Sequence, residues 1–168
     1  MLSSHDYCRL GVETEIVLRL GDDLPVGGNP QQVAAAVETC VAAIELIEDL
    51  RYDYKRLDAA AMMAGTVWNA GVVLGAPVTD WAVLDLAQMT ACLSINVRAI
   101  GSGKGGDVMG HPLNALAWLA GKLAAVGTPL RRGMIVMTGS MVAIQYPVAG
   151  DRVLVEISGL GTAELAVT

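Results

Sequence analysis

Alternating apolar and polar positions mark a strand near the start of the chain. Residues 12–20 read VETEIVLRL, in which apolar positions alternate with Glu13, Glu15 and Arg19. Successive side chains of a strand point to opposite faces, so one face is mostly apolar and the other carries both glutamates. The pattern predicts a strand with one buried face. A loop is predicted over residues 21–30, where glycine and proline recur.

Apolar residues recur at helical spacing in two later segments. Asn29 and Pro30 are suited to begin a helix, as N-cap and first helical residue. Val33, Val37, Cys40, Val41 and Ile44 then follow at helical spacing. The end of this helix stays open, because residues 42–50 also fit a strand after a shorter helix. A second helix is predicted over residues 112–126, where leucines repeat on one face.

The remaining pattern predicts further strands and one uncharged segment. Residues 89–100 and 133–138 are predicted strands, and residues 151–158 and 161–167 a hairpin. Residues 59–79 carry no charge and are long enough to cross a bilayer. Glycine, asparagine and proline interrupt that segment, so a buried helix and loop is favoured over a membrane span. The order of elements predicts an α+β domain on a mixed or antiparallel sheet.

Composition excludes several classes of protein. The 168 residues suit one folded domain, because 54% are hydrophobic and 17% charged. A net charge of −6 without a basic cluster argues against a nucleic-acid partner. No signal peptide is apparent, and the three cysteines form no Cys-x-x-Cys pair, so we expect a cytoplasmic protein. Its high apolar content predicts a homo-oligomer.

Glu13 and Glu15 form the first candidate site. Residues two apart on a strand point the same way, so the two carboxylates lie side by side and repel unless they face water or share a cation. Mg²⁺ prefers oxygen ligands and often keeps water molecules. A third carboxylate from elsewhere would leave positions open for a chelating substrate. The alternative is a strand whose two glutamates simply face solvent.

Three other features carry weaker signals. The loop GSGKGGDVMG matches G-x-G-x-x-G at Gly101, Gly103 and Gly106, but the next helix begins too late to place a pyrophosphate at its N-terminus. We therefore predict no nucleotide binding there. His111 precedes a proline at a helix start and is either a capping residue or a ligand. Lys55 is either a solvated lysine or, if buried near a metal, a base.

Several segments together resemble the fumarylacetoacetate hydrolase superfamily. They are GVETEIVLRLGDDLP, AAIELIEDLRYDYK, GHPLNALAWLAGKLAAVGTPLRRGMIVMTGS and VAGDRVLVEISGLGTAELAV. The third is similar to the branch of 2-oxopent-4-enoate hydratases and 4-oxalocrotonate decarboxylases. The resemblance covers nearly the whole chain from Gly11. It implies a catalytic domain over residues 11–168 after a short leader, 1–10, built as a rolled mixed β-sheet with peripheral helices.

The resemblance also assigns roles to individual residues. It implies that Glu13, Glu15 and Glu45 bind Mg²⁺ or Mn²⁺, and that Lys55 shuttles or orients a proton near the substrate. Thr138 and Gly139 fall on a turn that contacts substrate in the family. His111, within the GHPL string, is retained as a further candidate substrate contact.

The implied function is a metal-dependent lyase that adds water to a 2-hydroxy-2,4-dienoate or 2-oxo-4-enoate in aromatic catabolism. Three alternatives remain: a 2-oxo-3-hexenedioate decarboxylase, an acylpyruvate hydrolase, and an inactive subunit partnered with a related decarboxylase or hydratase. Two departures favour the last alternative. Gly65 and Thr66 stand where many relatives have an acidic residue followed by Asn or Asp, and only a short segment precedes the Glu-x-Glu strand.

Overall fold

Two long antiparallel strands lie at the centre of the structure. A computed structural model describes residues 1–24 and 28–168. In it, β1 (Leu10–Leu20) pairs with β2 (Val37–Glu48), from Leu10 opposite Glu48 to Arg19 opposite Thr39. Both strands are rich in β-branched residues and leucine, which pack well on a pleated surface. This pair forms the support from which the acidic side chains project.

The strands of residues 1–24 and 28–168 are arranged in two four-stranded sheets. In the first sheet, β3 (Asn69–Leu74) flanks β2 and β6 (Ile135–Met137) flanks β1. The second sheet has the order β5-β4-β7-β8, and its strands are β4 (Thr90–Ile95), β5 (Arg98–Lys104), β7 (Arg152–Ile157) and β8 (Gly161–Ala166). All pairs between these named strands are antiparallel.

In the described part of the chain, three α-helices lie outside the sheets. They are α1 (Pro30–Ala34), α2 (Ala59–Ala64) and α3 (Pro112–Ala125). Helix α1 begins with a capping box, in which Asn29 and Gln32 each accept a backbone N–H from the other. Helices α1 and α3 pack against each other. The arrangement confirms an α+β fold with peripheral helices.

One hydrophobic core joins the inner faces of the two sheets. Strand β2 packs against β7 and β8, and residues such as Ile16, Leu93 and Val155 are at most 1% exposed. Fully burying each such side chain stabilises the fold by roughly 1.5–3 kcal/mol. The other face of the first sheet carries a small apolar cluster, Val17, Val41 and Ala43. It is the face that also carries the glutamates of β1.

Several predicted elements are confirmed and others are wrong. The strand over 12–20, the helix over 112–126, the strand within 133–138 and the terminal hairpin are all present. The helix after Pro30 ends at Ala34, so the alternative of a strand after a shorter helix is the one observed. Burial explains this, because residues 40–44 are buried on both faces of β2. In the predicted loop over 21–30, residues 25–27 lie outside the described part of the chain.

Two further predictions need correction. The strand predicted over 89–100 is a hairpin of β4 and β5, which turns at Asn96 with a φ of 57°. The segment 59–79 is not a buried helix and loop. It contains the short helix α2, none of whose residues is buried, a 3-10 turn at Thr66–Trp68, and the partly exposed strand β3. None of the described helices has the length and apolarity needed to cross a membrane.

Part of the segment 1–10, predicted as a leader, pairs with the end of the chain. The Leu2 N–H donates to the carbonyl of Ala166, and the Ser4 N–H donates to the carbonyl of Thr168, at 2.9 and 2.7 Å. Leu2 also forms an isolated parallel bridge with Val167. Leu2 and Ser4 therefore lie beside the end of the chain that follows β8.

Candidate metal centre

Three glutamates from two neighbouring strands meet on one face of the first sheet. Glu13 lies directly opposite Glu45 in the β1–β2 register, and Glu15 follows Glu13 on the same face of β1. One carboxylate oxygen from each lies within 4.8 Å of the others. Glu15 is 1% exposed, and the other two are half-buried. The sequence separation of Glu45 means that the cluster exists only when the strands pair.

The proximity and burial of these acids change their acidity. Burial, and next the charge of Glu45, raise the pKa of Glu13 to about 6. Burial is also the main cause that raises the pKa of Glu15 to about 8. The pKa of Glu45 is likewise raised by burial. One buried and two half-buried acids whose oxygens lie within 4.8 Å of one another favour a shared cation, because desolvation and like-charge repulsion both oppose ionisation without one.

Hydrogen bonds fix two of the three carboxylates. The Gly139 N–H donates to Oε2 of Glu15 at 2.7 Å. The side-chain amide of Asn69, at the start of β3, donates to Oε1 of Glu45 at 2.7 Å. Both bonds lower the pKa of the acid that accepts them, although burial outweighs them. Such outer partners hold ligand groups in one orientation. The donor set is hard oxygen from carboxylates, which fits a divalent cation such as Mg²⁺ or Mn²⁺.

A cavity of about 340 Å³ opens beside the acidic cluster. Glu13 and Glu45 form its polar side, and its other lining residues are Ile47, Val67, Trp68, Ile144 and Tyr146. Its volume lies at the low end of the range for small-molecule sites. A chelating acid bound to a cation at the glutamates would therefore direct the rest of its chain toward apolar walls.

The wall formed by Val67 and Trp68 has an unusual backbone. Thr66, Val67 and Trp68 have φ values of 51°, 52° and 60°, in the left-handed region. Such conformations cost of order 1–3 kcal/mol for each non-glycine residue and persist only where the surroundings enforce them. Here they turn the chain sharply between α2 and β3, which brings Trp68 to the cavity and Asn69 to Glu45.

The predicted substrate contacts occupy different places. The Thr138 hydroxyl is buried and donates to the Ile16 carbonyl at 2.9 Å, and the Gly139 N–H is bound to Glu15. The turn therefore lies at the acidic cluster, with both donors engaged by the protein. At the N-cap of α3, His111 accepts the Leu113 N–H at Nδ1, at 3.0 Å. His111 is therefore a helix-capping residue, which is one of the two roles predicted for it. It also borders a separate surface pocket with Pro30.

Lys55 is not brought to the acidic cluster. It is exposed on a 3-10 turn, Tyr54–Arg56, and the described residues that line the cavity do not include it. Its backbone N–H donates to the side chain of Asp53 at 3.2 Å. Leu57, two residues later, lines a neighbouring apolar pocket that Trp68 and Asn69 also border. The role of Lys55 in proton handling stays a prediction.

Sequence reasoning missed the residues that complete the site. Asn69 and Trp68 lie in a segment whose predicted buried helix does not form, and Tyr146 carries no local motif. No periodic signal distinguishes these positions. Their proximity to the glutamates depends on the turn at Thr66–Trp68 and on the pairing of Gln145 with Val12.

Comparison with protein-family models identifies one family over nearly the whole chain. The model described as fumarylacetoacetate (FAA) hydrolase C-terminal matches residues 4–168. A 2-hydroxyhexa-2,4-dienoate hydratase from Comamonas testosteroni is 35% identical over 157 residues, which cover 93% of this chain and 59% of the relative. A 2-keto-4-pentenoate hydratase from Paraburkholderia xenovorans (strain LB400) is 34% identical, over 90% of this chain and 56% of the relative.

These relatives are longer than this chain. The chain spans less than two thirds of the length of both hydratases. A 4-oxalocrotonate decarboxylase from Pseudomonas putida is 30% identical over 77% of this chain and 49% of the relative.

Solved structures show the same fold. A 4-oxalocrotonate decarboxylase from Pseudomonas putida G7, complexed with magnesium and adipate, superposes with a TM-score of 0.91. It is 25% identical, and the match covers 99% of this chain and 64% of that one. A fumarylpyruvate hydrolase from Pseudomonas aeruginosa, in complex with Mn²⁺ and pyruvate, superposes with a TM-score of 0.77 at 16% identity, which shows the fold alone.

Proposed function

Because the chain belongs to the fumarylacetoacetate hydrolase family, we propose that it is a metal-dependent lyase that adds water to a 2-hydroxy-2,4-dienoate. One observation carries the proposal: three carboxylates converge within 4.8 Å at the edge of a small, mostly apolar cavity. Such a site can hold a divalent cation and, on it, the carboxylate and 2-oxo oxygens of a short acid. Dienoates of this kind arise in aromatic catabolism, and we propose a cytoplasmic location.

Glu13, Glu15 and Glu45 would hold Mg²⁺ or Mn²⁺. A bound cation would supply Lewis-acid stabilisation of charge that develops on the substrate's 2-oxo oxygen. The Gly139 N–H and the Asn69 amide keep Glu15 and Glu45 aimed at the shared position. Ile47, Ile144 and Trp68 exclude water from the substrate's carbon chain.

A second candidate activity is the decarboxylation of 2-oxo-3-hexenedioate. The similarity to a 4-oxalocrotonate decarboxylase, with a TM-score of 0.91, supports it. The same cation site would serve both reactions, since each develops negative charge on the 2-oxo oxygen. The hydratase is favoured because the hydratase relatives are 34–35% identical over at least 90% of this chain.

The proposal is tested by metal binding and turnover on the same protein. Manganese binding is measured by calorimetry, and turnover of 2-hydroxypenta-2,4-dienoate by its ultraviolet absorbance. We expect Mn²⁺ or Mg²⁺ to be required for turnover and to raise the thermal unfolding temperature. Glu15→Gln keeps the side-chain shape and removes one charge. This variant should lose the metal-induced stabilisation and turnover, whereas Glu164→Gln, on β8 in the second sheet, should keep both.

Three outcomes separate the candidates. Turnover of 2-oxo-3-hexenedioate alone would favour the decarboxylase. Metal binding without turnover of either acid would favour an inactive subunit partnered with a related enzyme. An unfolding temperature that does not respond to metal would contradict the metal site itself.

Lys55→Ala addresses the residue that the family resemblance proposes for proton transfer. The variant should bind metal as tightly as wild type, because Lys55 does not line the cavity. Loss of turnover with intact metal binding would support a role for Lys55 in proton handling. Unchanged turnover would show that Lys55 is a solvated surface residue.

A further inference from the structure

A polar network lies at the end of the sheet beside the glutamate cluster. Arg9 precedes β1 and Asp49 follows β2, so the antiparallel register places them side by side. The Asp49 N–H donates to the Arg9 carbonyl at 3.0 Å, and Arg9 Nε donates to Oδ2 of Asp49 at 2.9 Å. A second guanidinium N–H of Arg9 donates to the same oxygen. Asp49 is fully buried, and its other oxygen accepts the Arg51 N–H at 2.7 Å.

Tyr146 is held by this network. Its phenol is hydrogen-bonded to Asp49, and the guanidinium carbon of Arg9 lies 3.9 Å from the centre of its ring. The preceding residue, Gln145, exchanges two backbone hydrogen bonds with Val12, at 2.8 and 3.0 Å. Burial and the bond to Asp49 raise the pKa of the phenol, so it stays neutral. The ring is therefore a fixed, uncharged part of the cavity wall.

The described residues that line the cavity include no cation to receive a second anionic group. Among the described residues that line it, Glu13 and Glu45 are acidic and the others are uncharged. The charge of Arg9 is opposed by its ion pair with Asp49. Three carboxylates with one divalent cation have a net charge of −1. A substrate carboxylate directed at Tyr146, which is 37% exposed, and Ile144 would lose part of its water without gaining a cationic partner, which is unfavourable.

We propose that Tyr146 determines which substrate tails the site accepts, with Asp49 and Arg9 as its positioning residues. The ring selects 2-oxo acids whose tail is uncharged and excludes those with a second, terminal carboxylate. Aromatic and aliphatic walls contact an apolar tail favourably. This inference rests on the proposed function, because it requires the 2-oxo acid end of the ligand to be anchored at the glutamates.

The test compares two ligands of equal length on the manganese-loaded chain. 2-Oxohexanoate ends in a methyl group and 2-oxoadipate in a carboxylate, so they differ only at the tail. We expect calorimetry to show that wild type binds 2-oxohexanoate at least about tenfold more tightly, as expected when one polar group lacks a partner. Tyr146→Phe keeps the ring and should keep this ratio. Tyr146→Ala lets water reach the end of the bound ligand and should bring the ratio of the two affinities close to one.

The ratio distinguishes specificity from structural support. If Tyr146 had a purely structural role, Tyr146→Ala would weaken the binding of both ligands equally and leave the ratio of their affinities unchanged. Val148→Ala, at an exposed position of the same segment, is the matched control and should preserve wild-type behaviour. If Tyr146→Ala fails to bind manganese, Tyr146→Gln takes its place, and the same fall in the ratio is expected because the Gln amide can donate a hydrogen bond to a terminal carboxylate.

The failures of the two proposals are separable. Equal affinity of wild type for both ligands, or an unchanged ratio in Tyr146→Ala, would overturn the role of Tyr146 and leave the metal-dependent function standing. If neither ligand binds the manganese-loaded wild type, the proposed function fails and the inference fails with it.

Discussion

Glu15 combines burial with close contact to two other acids. The pKa of Glu15 is raised from the ordinary 4.5 to about 8, and the pKa of Glu13 to about 6. In an unfolded chain these acids ionise at their ordinary values. Between pH about 4.5 and about 8, the folded metal-free protein therefore binds more protons than the unfolded chain. The stability that protonated Glu13 and Glu15 contribute is fully present below their unfolded pKa of about 4.5. It is lost as the pH rises through their folded pKa values of about 6 and about 8.

The metal-free protein should therefore have a lower thermal unfolding temperature at about pH 8 than at about pH 5, as measured by circular dichroism. Saturating Mn²⁺ at the higher pH should remove most of the difference, because the cation favours the ionised carboxylates. Glu15→Gln has no proton to lose at this position and should show a weaker pH dependence without metal. An unfolding temperature that rises from pH about 5 to 8 without metal would contradict the assigned burial.

Two glycines, one within β5 and one directly after it, lie close to the backbone of other segments. An added Cβ at Gly103 would lie 1.9 Å from the Met141 carbonyl oxygen, and one at Gly105 equally close to the Leu86 carbonyl oxygen. Both contacts are with backbone, which cannot move aside as a side chain can. Close backbone approach thus explains Gly103, within β5, and Gly105, directly after it.

Gly105→Ala should lower the free energy of unfolding by roughly 3 kcal/mol, because overpacking forces the backbone apart. Gly121→Ala is the control, since Gly121 lies within α3 and has no atom within 4 Å of the added Cβ. That substitution should stabilise the protein by about 0.5–1 kcal/mol through helix propensity. Urea denaturation measures both. Equal effects of the two substitutions would show that the turn after β5 tolerates a side chain where the structure excludes one.

At the scale of the whole molecule, several large apolar side chains are exposed. Examples among the described residues are Met63, Val83, Trp118 and Val126, which are between 56% and 85% exposed. Apolar surface of this kind favours association. We therefore expect a homo-oligomer, most simply a dimer with an isologous interface.

Light scattering coupled to size-exclusion chromatography tests this expectation over the micromolar range. The mass should be at least twice that of the 17.5 kDa chain. It should not depend on bound metal, because the glutamates are buried or half-buried and the surface expected to associate is exposed and apolar. A mass of one chain at every concentration would contradict it. Mixing with a related decarboxylase or hydratase would reveal a mixed assembly as a new species.

Local pattern alone was sufficient for much of the fold. The alternation in residues 12–20 and the leucine spacing in 112–126 predicted β1 and α3, because periods of 2 and 3.6 residues are written directly in the chain. The same alternation placed Glu13 and Glu15 side by side. Only the resemblance to a family predicted Glu45 as a metal ligand, since nothing in its own segment distinguishes it from other acidic residues.

Tertiary structure decided the features that depend on contacts between distant segments. The register of β1 with β2 sets Glu45 opposite Glu13, and the left-handed turn at Thr66–Trp68 brings Asn69 to Glu45. Burial on both faces made residues 37–48 a strand despite their helical spacing. The physical reason is common to all of these: pairing and burial act between residues far apart in sequence, where local periodicity carries no information.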